Sequence, residues 1–180
     1  MYKKYFRLFV FGTLFLITSS VYAQKGFRIA ISVGPTLGDS SEYFLYTLQA
    51  DFQYLWSVSD DIYIGATAGA LVFLGEGNNA DDSGGLFSSI PDVFIPIAMA
   101  SRVKLSELFY IGLDIGYALN ANGFGDSDGS FIDEETGGFF FRPLFAYKVK
   151  EKLDLALSYT SISENGYNSS SINLGVNFRF

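Results

Sequence analysis

The sequence predicts an all-β fold: an eight-stranded antiparallel up-and-down transmembrane β-barrel, preceded by a cleavable signal peptide. Three observations carry this reading. Eight segments alternate apolar with small or polar residues at period two, and helical periodicity is absent between them. The connections alternate short and long. Every charged residue inside a segment falls on its small, polar face. Strands of roughly ten residues, with tight turns on one side and long loops on the other, are the pattern of a transmembrane barrel, and eight is its smallest even strand number.

The chain opens with a segment outside the fold. Lys3, Lys4 and Arg7 precede the apolar run Leu8–Ile17, and Val21-Tyr22-Ala23 supplies small residues for signal peptidase. About ten apolar residues are too few to span ~30 Å as a helix. Residues 1–23 therefore read as signal peptide and 24–180 as the barrel domain. Loss of the three basic residues leaves nine Lys and Arg against nineteen Asp and Glu.

The strands follow in order. Phe27–Leu37 sets Phe27, Ile29, Ile31, Val33 and Leu37 on one face, with Arg28, Ala30, Ser32, Gly34 and Thr36 on the other. Phe44–Ser57 opposes Phe44, Tyr46, Leu48, Phe52, Tyr54 and Trp56 to Thr47, Gln49, Asp51 and Gln53. Ile62–Leu74, Val93–Leu105, Leu108–Leu119, Phe139–Val149, Leu153–Ile162 and Ser171–Phe180 continue the pattern. Tight turns are expected at Ser59-Asp60-Asp61, Ser106-Glu107 and Lys150-Glu151-Lys152. Longer polar loops are expected at Gly38–Tyr43, Gly75–Asp92, Asn120–Gly138 and Ser163–Ser170.

A soluble barrel would point its apolar face inward, and the charges decide against it. Arg28, Asp51, Arg102, Lys104, Asp114, Arg142, Lys148, Asp154 and Arg179 all lie on a face otherwise rich in Gly, Ala, Ser, Thr, Asn and Gln. A narrow lumen needs small residues and a few paired ions, whereas a water-facing exterior carries more and larger charges. The opposite face is too aromatic for the inside of eight strands, so it meets lipid. Ile115→Arg on that face is expected to be costly, and Ala118→Ser on the polar face cheap. Pro96 and Pro143 run against the reading, since each removes a ladder hydrogen bond.

Composition removes several functions. The 180 residues hold no Cys and no His, which excludes disulfides, thiol chemistry, cysteine lipidation, Ser–His catalysis and imidazole metal sites. A net charge of −7 argues against nucleic acid. Asp126, Asp128, Gly129 and Glu135 resemble part of a calcium loop, but Phe124 would occupy its first ligand position. An acidic, Gly-rich surface loop is the better reading. Ser88, Ser89, Ser127 and Ser130 read as loop residues without a general base. No catalytic, cofactor-binding or metal-ligating residue is assigned, and no cofactor is expected. Lys148 and Asp154 are expected to face each other across the sixth turn, and Asp114 lies one step along the ladder from Arg102. A salt-bridged plug is favoured over a pore, because eight strands leave room for little beyond side chains.

Together Arg28–Pro35, Ile95-Pro96-Ile97, Ile111–Tyr117, Phe141-Arg142-Pro143 and the terminal Asn177-Phe178-Arg179-Phe180 resemble the small outer-membrane β-barrel family of Gram-negative bacteria, the OmpA/OmpX-like or "porin-family" barrels. The resemblance implies an outer-membrane location with both termini periplasmic, and contact with outer-membrane lipids and lipopolysaccharide. It also implies recognition of the closing aromatic by the barrel-insertion machinery. Some members carry a peptidoglycan-binding domain, which is not expected after Phe180. The function expected is structural or surface-interacting, through acidic outer loops and an unidentified ligand, with a narrow porin-like channel for small solutes as the alternative. Those loops hold twelve carboxylates and no Lys or Arg: Asp39, Glu42, Glu76, Asp81, Asp82, Asp92, Asp126, Asp128, Asp133, Glu134, Glu135 and Glu164. Diffuse Ca²⁺ or Mg²⁺ bridging from this cap to lipid phosphates is one expectation, and simple solvation of the loops is the other.

Overall fold

The computed structural model describes residues 26–75, 92–121, 137–164 and 166–180. Eight strands form one closed barrel: β1 Phe27–Gly38, β2 Tyr46–Ser57, β3 Ile62–Leu74, β4 Asp92–Lys104, β5 Phe109–Asn120, β6 Gly137–Lys150, β7 Leu153–Glu164 and β8 Tyr167–Arg179. Each strand pairs antiparallel with its sequence neighbour, and β1 closes on β8 through pairs such as Ile31↔Val176. Closure leaves no unpaired edge, the condition for strands to cross hydrocarbon. The first and last strands meet at the end that also carries the tight turns, where the Phe180 amide donates to the Phe27 carbonyl at 3.1 Å.

Side-chain alternation turns this closure into two surfaces. Outward residues include Ile31, Val33, Leu48, Phe52, Ile97, Met99, Ile115, Leu157, Ile172 and Leu174, all exposed. Their inward neighbours are buried: Asp51, Ala98, Ala100, Asp114, Ser158 and Asn173. Aromatic residues crowd the turn-side rim of the outer face. Tyr54 meets Trp56 edge-on at 4.9 Å, Phe109 stacks on Phe145 at 5.5 Å, and Phe27 lies 5.7 Å from Phe180. Aromatic rings at this level form the girdle of a membrane barrel.

The turns are built from local hydroxyls. The Ile62 amide donates to Ser59 Oγ at 3.2 Å, and the Phe109 amide to Ser106 Oγ at 3.2 Å. At the opposite end, one expectation is corrected. The segment Ser163–Ser170 is not a long loop: β7 and β8 extend until Glu164 pairs with Tyr167, leaving only Asn165-Gly166 between them. Gly166 holds φ at +82°, which a glycine adopts without steric cost. Asn-Gly is a strong hairpin signal, masked here by the polar Asn168-Ser169-Ser170 that follows. Phe44 is also corrected. It precedes β2, beyond a single 3₁₀ turn at Asp39–Glu42, and is folded onto the interior, 5.9 Å from Phe73. The turn redirects the chain so that strand parity no longer governs this residue. The Thr36 hydroxyl donates to the Phe44 carbonyl and holds it there.

The prolines sit where one side of the ladder is released. Ladder pairing is interrupted, with the register unchanged, beside Pro35 against β8, beside Pro96 against β3 and beside Pro143 against β7. On their other sides the same residues stay paired, as Pro35↔Tyr46, Pro96↔Ala118 and Pro143↔Leu113. An antiparallel residue directs its N–H and C=O to one neighbour only, so a proline interrupts a single seam.

Candidate functional site

The interior is layered along the barrel axis. At the loop end Leu71, Phe73, Phe94, Phe140 and Ile162 are wholly buried and form one apolar cluster with Ala98 and Ala118. Phe73 and Phe94 meet edge-on at 5.8 Å. Parity placed all of these on the lumen face, but their apolar character departs from the small, polar composition expected there. Sequence reasoning passed over them because they fall near strand ends, where alternation has few neighbours to confirm it.

Below lies a polar layer. The Thr47 hydroxyl donates to Asn173 Oδ1 at 2.6 Å, Asn173 Nδ2 to the Ser171 hydroxyl at 2.7 Å, and Gln49 Nε2 to Asp51 Oδ1 at 3.1 Å. Next comes an ion cluster built from four strands. Asp114 accepts from Arg142 Nε at 2.9 Å and Nη2 at 2.6 Å, and pairs with Arg102. Arg142 Nη1 reaches Asp51 at 2.6 Å, and Arg102 Nη2 donates to Gln53 at 3.2 Å. Two arginines and two aspartates therefore balance in a region removed from water, where an unpaired charge would be very costly. Gln49, Gln53 and Asn173 are members that sequence reasoning recorded only as polar positions. Their parity was the available signal, and their partners were not legible.

Gly112 makes the cluster sterically possible. A Cβ there would stand 2.5 Å from Arg102 Cδ and 2.9 Å from its Nε, so the arginine lies directly over the bare backbone. We expect Gly112→Val to displace Arg102 and to destabilise the barrel by about 1–3 kcal/mol, the usual cost of overpacking. Urea-dependent refolding into micelles measures it.

Toward the turn side, Lys148 and Asp154 are opposite in register as expected. The ion pair of Asp154, however, is with Arg179 at 2.6 Å, and Asp154 also accepts from the Tyr110 hydroxyl at 3.1 Å. The bulge between Lys148 and Lys150 breaks the register beside this pair. Lys104 instead bonds Glu107 across the turn at 2.7 Å, and that ammonium holds the exposed Glu107 carboxyl below its ordinary pKa.

Of the twelve loop carboxylates, Asp39, Glu42, Asp92 and Glu164 are described, and Asp39 accepts from the Asn168 amide at 2.8 Å. The other eight, with the calcium-like segment Asp126–Glu135 and Ser88, Ser89, Ser127 and Ser130, lie outside the described residues, as do residues 1–23.

An apolar outer belt, an aromatic rim and a polar, ion-paired interior define a small transmembrane β-barrel of the outer-membrane type. The comparisons agree at the level of fold. The outer membrane protein Ail of Yersinia pestis, in a phospholipid bilayer nanodisc, matches over 86% of this chain and 99% of its own, with 12% identity and a TM-score of 0.57. Its crystal structure gives 13% identity and 0.50 over the same shares. A de novo designed transmembrane β-barrel matches over 87% of this chain and 96% of its own, with 13% identity and a TM-score of 0.51. No protein-family model matches the chain, and no curated protein matches it in sequence.

Proposed function

We propose that the chain is an integral outer-membrane β-barrel of a Gram-negative bacterium, exported by the signal at residues 1–23, with a closed lumen and a structural or surface-interaction role. The observation that carries this reading is the stacked interior: a buried aromatic cluster at one end and a charge-balanced Arg–Asp cluster beneath it. An eight-stranded barrel is just wide enough to be filled in this way. Both termini and the tight turns would then face the periplasm, and the longer acidic connections would face outward. Loops on a rigid scaffold are the natural working surface. Their carboxylates favour basic partners, or divalent cations shared with lipopolysaccharide phosphates. A chain without His or Cys supplies no Ser–His or Cys–His nucleophile, so we assign it no enzymatic role.

Planar-bilayer recording tests the closed lumen. We expect no stable conductance steps from the purified barrel. Reproducible, voltage-stable openings would overturn the reading in favour of a narrow channel for small solutes.

A further inference from the structure

The turn-side end of the interior opens into a pocket of about 150 Å³, lined by Arg28, Arg102, Lys104, Glu107, Lys148 and Arg179 among others. The charges of the barrel's inner face do not cancel here. Asp51 and Asp114 balance Arg102 and Arg142, Asp154 balances Arg179, and Glu107 balances Lys104. Arg28 and Lys148 are left with no ion pair among the described residues. The Arg28 guanidinium lies 5.9 Å from the centroid of Tyr63 and 5.8 Å from that of Tyr110. Ring faces hold a cation in place without neutralising it.

A second observation is independent of net charge. Arg102, which lines the pocket, is 1% exposed, and its buried Nε–H meets no acceptor among the described residues. The Nε–H of Arg179 is buried and unpartnered in the same way. Each such donor is an unmet hydrogen bond that a bound acceptor would complete. The basic groups come from β1, β4, β6 and β8, and so approach the pocket from several sides of the mouth. A planar carboxylate presents its oxygens in one plane, whereas a tetrahedral oxyanion offers acceptors in every direction.

We propose that this pocket binds a tetrahedral oxyanion of the phosphate or sulfate class. Arg28 and Lys148 supply the uncompensated charge, and Arg102 and Arg179 supply buried donors. The pocket has room for one such ion. In the orientation proposed above the pocket faces the periplasm, but the binding itself depends on neither that orientation nor a closed lumen.

The test follows the arginine Nε–Hε resonances of the ¹⁵N-labelled barrel in phosphate-free maltoside micelles. Inorganic phosphate, or sulfate, is titrated against chloride at constant ionic strength. We expect saturable shifts of the Arg102 and Arg179 signals with either oxyanion and none with chloride. Arg28→Gln combined with Lys148→Gln should weaken binding about tenfold or more, the scale of one lost charge-assisted bond. Lys152→Gln, outside the pocket, should leave it unchanged. Heat-modifiable gel mobility verifies that each variant is folded. A second arm places the barrel in phosphatidylglycerol nanodiscs without free phosphate. The same shifts there would identify a lipid headgroup as the source, and shifts confined to the first arm would identify a free ion. Shifts that rise linearly without saturating, that chloride reproduces, or that survive the double substitution would overturn the proposal.

Discussion

Asp114→Ala is expected to cost about 3–5 kcal/mol of folding stability, the scale for removing one partner from a buried ion pair. This carboxylate is wholly buried and serves two guanidinium groups, Arg102 and Arg142. Its loss leaves Asp51 alone to balance both, within reach of Arg142 only. The uncompensated charge, more than the lost attraction, drives the effect. For that reason Arg102→Met added to Asp114→Ala should restore a large part of the stability, since Arg142 and Asp51 then remain as one balanced pair and buried ions are often replaceable by apolar groups of similar volume. Equilibrium urea titrations into lipid vesicles give both values. An Asp114→Ala barrel as stable as the parent would show that water, not Asp114, balances the arginines.

Ile115→Arg, one residue further along β5, should cost about 2–4 kcal/mol for the opposite reason. Ile115 points outward and is exposed midway along its strand, so the substitution sets a cation against hydrocarbon. Ile115→Leu should be nearly neutral there. Neighbouring residues thus fail by different physics: Asp114 because its charge is needed, Ile115 because a charge is not tolerated. Ala118→Ser, which parity alone made harmless, is reassigned. Ala118 is wholly buried in the apolar cluster with Phe73, Phe94 and Phe140, and a hydroxyl there would be desolvated.

These two positions also show what the sequence made legible. Period-two alternation placed Asp114 inside and Ile115 outside without coordinates, because a strand has only two faces and one of them rejects charge. The same reasoning recovered eight strands, their order and the pairing of Arg102 with Asp114. It lost information where the backbone departs from a plain strand. The Asn165-Gly166 hairpin was hidden in a polar run, and the 3₁₀ turn at Asp39–Glu42 sent Phe44 inward. Partner choice was also beyond it. Register placed Lys148 opposite Asp154, yet Arg179 from the adjacent strand holds that carboxylate. Contacts across a barrel depend on side-chain length and on bulges, and no linear pattern encodes either.

The central claim is that the apolar face meets lipid, and the chain's single tryptophan reports on it directly. Trp56 lies one residue from the turn-side end of β2, outward, 57% exposed and braced by Tyr54. Its fluorescence in vesicles should be blue-shifted relative to free tryptophan. Lipids brominated near the headgroup should quench it more strongly than lipids brominated at the chain terminus, and aqueous iodide should quench it weakly. Efficient quenching by iodide with no response to either brominated lipid would place Trp56 in water and contradict the assignment of faces on which the whole account stands.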